Sequence, residues 1–360
     1  MQKKFVKFAG SLFILLLSVA LCFLLLEIYL RWQPLKANTQ RDFQVHNLEY
    51  DYPIHLNSDF FRDEEFHLAK APGTFRILLI GDSYAYGLGT PNENTFDKLL
   101  EQKLNANSPA LHYEVYNVGI VGADPFEYYQ LGQQFKDYHP DLVLVSFYVD
   151  NDIHEGSLRN RWKIIKWKEK IQDIISTSLW QKGYLSCMFS WIEPYRGKVD
   201  PDLFDKACMG VVNPHLLHRG DMPDQQAHYR SLSKLFQKDP FTQNSLMKLK
   251  KLFPESDYLL VMQPSKYQVT NACFTELEKL GFDFPNHELL GREIQDAVRA
   301  WAVQNQIDIV DVLPAMLASP DKNFYHCIDD HYKESGNQFV ADLIFQHLKD
   351  HSVHSKTSAP

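Results

Sequence analysis

The chain has 360 residues, of which 45% are hydrophobic and 23% charged, with a formal net charge of −8. That length and apolar share exclude a disordered chain and suffice to bury a sizeable core, and 45 acidic against 37 basic residues exclude a general nucleic-acid coat. Sixteen Gly and 18 Pro rule out collagen-like repeats, and five Cys are too sparse for a disulfide scaffold.

Much of the hydrophobicity lies at the start. From Phe8 to Leu26 no residue is charged, and only Gly10, Ser11 and Ser18 interrupt the apolar side chains. As a helix this run spans about 28 Å, close to the hydrocarbon thickness of a bilayer. Lys3, Lys4 and Lys7 precede it, and Glu27 and Arg31 follow. The positive cluster predicts a cytoplasmic tip, with everything after Trp32 on the other, periplasmic face of a bacterial inner membrane. The expectation is a single-pass signal anchor over residues 1–32. A cleaved signal peptide is the alternative, although Leu24, Leu25, Leu26, Glu27, Ile28 and Tyr29 provide no small-residue cleavage pattern. Lipoprotein processing at Cys22 would meet bulky Leu21 where a small residue is expected. With Cys22 in the membrane, Cys187, Cys208, Cys273 and Cys327 remain in an oxidising space. Three pairings are open, among them Cys187–Cys208 with Cys273–Cys327, and four free buried thiols are the alternative.

Residues 33–74 read as an irregular linker leading into the folded domain, with no internal repeat in the chain. Alternating apolar runs and helical patterns follow. Arg76 to Ile80 is a buried-strand run, Thr95 to Leu104 has helical spacing, Tyr113 to Val118 is a second strand and Phe126 to Tyr138 a helix. Asp141 to Tyr148, Tyr258 to Met262 and Ile307 to Val312 read as further strands. Asn286 is the expected cap of a helix running to about Gln304, and Glu334 to Leu348 is the last helix. This alternation predicts an α/β domain over 75–350, with a parallel sheet between two helical layers and a flexible tail over 351–360. The stretch 154–240 breaks the rhythm and reads as a helical and loop-like insertion. Its start is basic and aromatic (Arg159, Arg161, Trp162, Lys163, Lys166, Trp167), which fits a lid, a membrane-surface helix or an ordinary solvated helix.

In an open parallel sheet, ligands gather beyond the carboxyl ends of the strands. Gly81-Asp82-Ser83 follows the first strand, with glycines at 81, 87 and 89 that permit a tight turn presenting Ser83. Position 85 is Ala, so this is not a G-x-S-x-G elbow, and no Gly-Lys-Ser/Thr phosphate loop follows. Gly119 and Gly122 follow the second strand, and Asp150-Asn151-Asp152 follows the third. A glycine N–H and an asparagine amide are suitable donors to an oxyanion. Asp329-Asp330-His331 precedes the last helix, where a His can accept a serine proton and a carboxylate can hold its other nitrogen.

Those blocks resemble the SGNH (GDSL) hydrolases. Gly81-Asp82-Ser83 matches the family's nucleophile motif, Gly122 its second-block glycine, Asn151-Asp152 its third-block asparagine and aspartate, and His331 its catalytic histidine, followed by Ser335-Gly336-Asn337. The resemblance spans about residues 74–350, less the insertion. It implies a flavodoxin-like three-layer α/β/α fold and serine esterase or acyl-transfer chemistry with no metal or other cofactor. Two positions depart from the pattern. Val149 stands where the third block has Gly, and Ile328 occupies the place of the acid in the family's D-x-x-H spacing.

Asp330 directly precedes the His, and neighbouring side chains in an extended segment point apart, so Asp329 is the expected orienting acid; a Ser–His dyad completed by a backbone carbonyl is the alternative. Ser83 would attack an ester carbonyl, His331 would take its proton, and the N–H groups of Ser83 and Gly122 with the Asn151 amide would hold the oxyanion. Asp82 and Asp152 read as structural. The expected substrate is an acyl, chiefly O-acetyl, ester of an envelope glycan or lipid, hydrolysed or transferred to another acceptor. A metal site built from His326, Cys327, Asp329, Asp330 and His331 and a non-catalytic envelope-binding protein are the rival readings.

Overall fold

The computed structural model of the protein describes residues 2–38, 40–153, 198–208 and 222–351. Helix α1 (Gln2–Trp32) contains a span, Ser11–Tyr29, with a mean hydropathy of 2.7 and side chains that nothing in the folded domain covers. Only Gln33 and Pro34 separate it from Leu35, whose N–H donates to Gln134 Oε1 at 2.9 Å and whose carbonyl accepts from Gln134 Nε2 at 3.2 Å.

The segment expected to be irregular contains an antiparallel hairpin, β1 (Asp42–His46) and β2 (Asp51–His55). Tyr52 and Ile54 alternate with exposed neighbours and pack with Leu56 and Tyr86. Pro53 is tolerated because both strands of a two-stranded ribbon are edges.

The elements that follow are β3 (Thr74–Gly81), α2 (Ser83–Tyr86), α3 (Phe96–Asn107), β4 (His112–Asn117), α4 (Pro125–Phe135), β5 (Leu142–Tyr148) and α5 (Pro201–Cys208). Then come α6 (Met222–Lys238), α7 (Phe241–Leu252), β6 (Asp257–Gln263), α8 (Lys266–Val269), α9 (Phe274–Lys279), α10 (Glu293–Gln304), β7 (Asp308–Asp311), α11 (Val312–Ala318) and α12 (Glu334–Asp350). Strands β3 to β7 form one parallel sheet in the order β4-β3-β5-β6-β7. This is the flavodoxin-like order, and its reversal point lies between β3 and β5.

Strand alternation sends Ile77, Leu79, Leu144, Leu259 and Val261 to one face, where α3 and α12 cover them with Phe96, Leu100, Val340 and Ile344. Leu78, Ile80, Val143, Val145 and Leu260 point to the other face, under α4, α6, α7 and α10. Fully burying one such side chain stabilises by about 1.5–3 kcal/mol, an upper estimate because unfolded chains already hide some area. Continuous burial along β3 and β5 explains why they read as unbroken apolar runs.

Within the expected insertion, α6 packs on the sandwich: Gln225, Tyr229, Leu232 and Phe236 recur at helical spacing and face the core. One further expectation is corrected. Asn286 does not cap α10, which begins at Glu293; it sits in a tight turn at φ 57°, a left-handed conformation that Asn tolerates. The basic aromatic cluster from Arg159 and the candidate bridge partner Cys187 lie outside the described residues. Cys273 and Cys327 are joined by a disulfide.

Candidate active site

The chain reverses sheet direction between β3 and β5, so the loops after these strands flank one crevice. Ser83 emerges directly from β3 as the first residue of α2. The turn is abrupt because Gly81 has no side chain: a Cβ there would lie 2.7 Å from Ala85 Cβ and 2.8 Å from the Ser146 carbonyl oxygen. Asp82 caps α2 by accepting from the Tyr84 N–H at 2.9 Å. As a first-turn residue, Ser83 keeps an N–H with no intrahelical acceptor.

His331 Nε2 lies 2.7 Å from Ser83 Oγ. Its Nδ1 faces Asp329 Oδ1 in a short contact, and the same oxygen accepts the His331 backbone N–H at 3.0 Å. All three residues are buried. The D-x-H spacing therefore lines Ser83, His331 and Asp329 up in one chain of side-chain contacts. Burial alone would lower the His331 pKa, but the Asp329 carboxylate outweighs it and holds the imidazole above its usual value. Burial pushes Asp329 up, yet the charge and hydrogen bonds of His331 leave it well below the carboxylate range.

Asp330 points away: its Oδ1 is 2.7 Å from Lys266 Nζ, while its carbonyl accepts from Tyr84 Oη at 2.7 Å. That last bond ties the serine turn to the histidine loop. The residues of the rival metal reading are otherwise engaged. His326 bonds the Gly89 carbonyl at 2.9 Å and Cys327 is in the disulfide. Among the described residues no group of three or more His, Cys, Asp or Glu side chains is placed to hold a metal ion.

The expected oxyanion donors fall in different surroundings. Asn151 is half-buried, and its side chain helps to offset the upward push of burial on the Asp82 carboxyl, beside Ser83. Gly122 is exposed with φ 75°, and a Cβ there would meet nothing within 4 Å. The glycine packed against the serine turn is Gly119, where a Cβ would fall 2.5 Å from the Tyr86 nitrogen; its N–H donates to Asn117 Oδ1 at 2.9 Å. In sequence the two glycines look alike, and only the spatial contact separates them.

Asp82 and Asp152 are fully buried beneath the crevice. Burial raises Asp82 to about 6, and burial with the Asp82 charge drives Asp152 well above the carboxylate range. Asp152 Oδ2 accepts from Tyr128 Oη and the Tyr148 N–H, both at 2.8 Å, which fixes the loop that carries Asn151. Val149, in place of the family's glycine, buries its side chain in the core and donates its N–H to the Gln263 carbonyl at 3.3 Å. On the far side of Asn151, His228 of α6 pairs with Asp150 at 2.8 Å.

Sequence reasoning missed the hairpin's part in the site. Asp329 Oδ2 accepts from Tyr50 Oη at 2.9 Å and from Asn47 Nδ2 at 3.3 Å. Both donors lie in or beside the β1–β2 turn, about 280 positions away along the chain, so no local pattern could have signalled them.

The fold and this relay together define a flavodoxin-like α/β domain with a buried serine–histidine–aspartate arrangement at its switch point. Among solved structures, the chain is similar to a two-domain esterase active on acetylated mannans, with 14% identity, a TM-score of 0.39 and coverage of 80% of this chain and 51% of that one. It thus spans about half the length of that esterase. It is also similar to an acetyl xylan esterase (16% identity, TM-score 0.36, covering 76% and 100%) and to a lipase/acylhydrolase from Enterococcus faecalis (14%, 0.38, covering 77% and 96%). No protein-family model matches the chain, and a search of curated proteins finds no match.

Proposed function

We propose that the protein is a serine esterase that removes acyl groups, chiefly O-acetyl, from a cell-envelope glycan or lipid. The observation that carries this reading is the unbroken relay from Ser83 Oγ through His331 to Asp329. Ser83 Oγ attacks the ester carbonyl while His331 Nε2 takes its proton, forming a C–O bond to the enzyme. The imidazolium then gives that proton to the departing alcohol oxygen as the original ester bond breaks. Water, deprotonated by the same imidazole, attacks the acyl-enzyme and releases the acid and free Ser83. The Ser83 N–H and the Asn151 amide are assigned to the oxyanion, where losing one donor costs about 2.7–4 kcal/mol of barrier, while Gly122, exposed and with nothing beside it, is left without that role.

The envelope setting is supported by α1, whose uncovered apolar span follows three lysines. As a membrane anchor it would leave the catalytic domain on the extracytoplasmic face. The end of α1 beyond Tyr29 and the two-residue link before Leu35 would then hold the domain within about 15 Å of the apolar span, given roughly 1.5 Å per helical and 3.5 Å per extended residue.

The test is acetate release from O-acetylated envelope glycan by the full chain in detergent. Wild type should release acetate, while Ser83→Ala should retain the fold and lose at least a thousandfold in rate. Equal release by both proteins would defeat the serine mechanism.

A further inference from the structure

The hairpin turn grips the loop carrying Asp329 and His331 at several points. Glu49 Oε1 accepts from the Cys327 N–H at 2.6 Å, and Glu49 Oε2 accepts from the Ile328 and Asp329 N–H groups at 2.8 and 2.7 Å. Three successive backbone N–H groups converging on one anion form a nest, and bonds to an ionised acceptor are among the stronger ones proteins make. The same turn supplies the Tyr50 and Asn47 donors to Asp329 Oδ2. Beside them, the Tyr50 ring lies 5.0 Å from the His326 ring, and Tyr52 Oη accepts the Gly89 N–H at 2.8 Å. The His326 ring in turn bonds the Gly89 carbonyl, and the His326 backbone N–H donates to the His331 carbonyl at 3.0 Å. The contacts thus run from the hairpin to both sides of the relay.

Resting on the serine-esterase reading above, we infer that the Asn47–Tyr50 turn is a positioning strap: Glu49 fixes the backbone of the acid-bearing loop, and Tyr50 and Asn47 orient the Asp329 carboxylate toward His331. A short D-x-H connection offers little backbone of its own to aim the acid, and the strap supplies that constraint from outside the sheet. None of the three residues touches Ser83, so they act through Asp329 and not on substrate. The hairpin begins ten residues after the end of α1, so the chain that leaves the apolar helix runs directly into the strap.

The test uses the full chain and two variants, Tyr50→Phe and Glu49→Gln. Tyr50→Phe removes one hydroxyl and leaves the ring packing in place. Asp329 then shares its charge with fewer donors and acts more strongly on His331, so the acid limb of kcat/KM should move to higher pH by a few tenths of a unit. Glu49→Gln should lower kcat tenfold or more with KM within twofold of wild type, and Glu49→Asp should restore part of kcat. Amide hydrogen exchange at Cys327, Ile328 and Asp329 gives a readout that needs no turnover, and it should accelerate at least tenfold in Glu49→Gln. Unchanged kcat, acid limb and exchange in both variants would overturn the strap while leaving the esterase reading intact. Faster exchange in Glu49→Gln with a wild type inert on every ester would sustain the strap's hold on the loop and defeat the esterase reading instead.

Discussion

Replacing Asp329 by Asn separates two things a triad acid supplies, the imidazole tautomer and a negative charge. An inward-facing amide NH₂ would force the wrong tautomer, the route by which such substitutions cost about 10⁴ in serine proteases. Here that orientation is opposed. Asp329 Oδ1 already accepts two N–H donors, from His331 Nδ1 and from the His331 backbone, and an NH₂ group in its place would confront both. The Asn carbonyl should therefore face His331, with the NH₂ turned toward Tyr50 Oη, which can rotate to accept, and opposed there only by the longer Asn47 Nδ2 contact at 3.3 Å. The tautomer survives and the charge is lost. A unit-charge pair about 4 Å apart at an effective dielectric of about 20 is worth about 4 kcal/mol, which predicts a loss of roughly a thousandfold in kcat.

The pH profile carries the sign. His331 acts as a base only when neutral, and Asp329 holds its pKa above the usual value. Without that charge, the acid limb should move to lower pH even as the plateau falls. Turnover of a chromogenic acetate ester between about pH 5 and 9 measures both quantities. A loss of less than tenfold in Asp329→Asn with the limb in place would show that Asp329 is not the orienting acid, and all the more so if Asp330→Asn proves the damaging change.

Two further outcomes are expected from the glycines and one from the disulfide. Gly119→Ala places a Cβ against the Tyr86 backbone nitrogen at 2.5 Å and should displace the serine turn, costing activity and melting temperature together. Gly122→Ala meets no neighbour but must hold φ 75°, so its stability cost should be about 1–2 kcal/mol, read by denaturant unfolding. Reducing Cys273–Cys327, which closes a loop across a sequence separation of 54, should cost about 4 kcal/mol by loop-closure entropy and loosen the Asp329 loop. A melting temperature insensitive to reductant under denaturing titration would contradict it.

How much of this was readable in advance follows from where each signal lives. Strands β3 and β5 are buried on both faces, so the sequence carries continuous apolar runs there, and the candidate residues follow because ligands gather at such strand ends. Asp329 was separable from Asp330 by a local rule, the opposite pointing of neighbours, and Lys266 draws Asp330 away as that rule expects. The hairpin was not legible. Its alternation is only a few residues long, Pro53 interrupts it, and its turn, Asn47-Leu48-Glu49-Tyr50, lacks the Asn-Gly or Asp-Gly signature. Glu49 and Tyr50 meet the Asp329 loop only across a long stretch of chain. Likewise α6 reads as part of the insertion because the polar residues of its outer face outnumber the apolar ones that its inner face sends into the core.

The central claim is that Ser83 is a nucleophile activated by His331, and covalent labelling tests it most directly. A fluorophosphonate probe should modify wild type at Ser83, located by peptide mass spectrometry. The rate should fall with protonation of His331, and the adduct should vanish in both Ser83→Ala and His331→Ala. Ester turnover that persists in Ser83→Ala, or an adduct mapped to a different residue, would contradict the account.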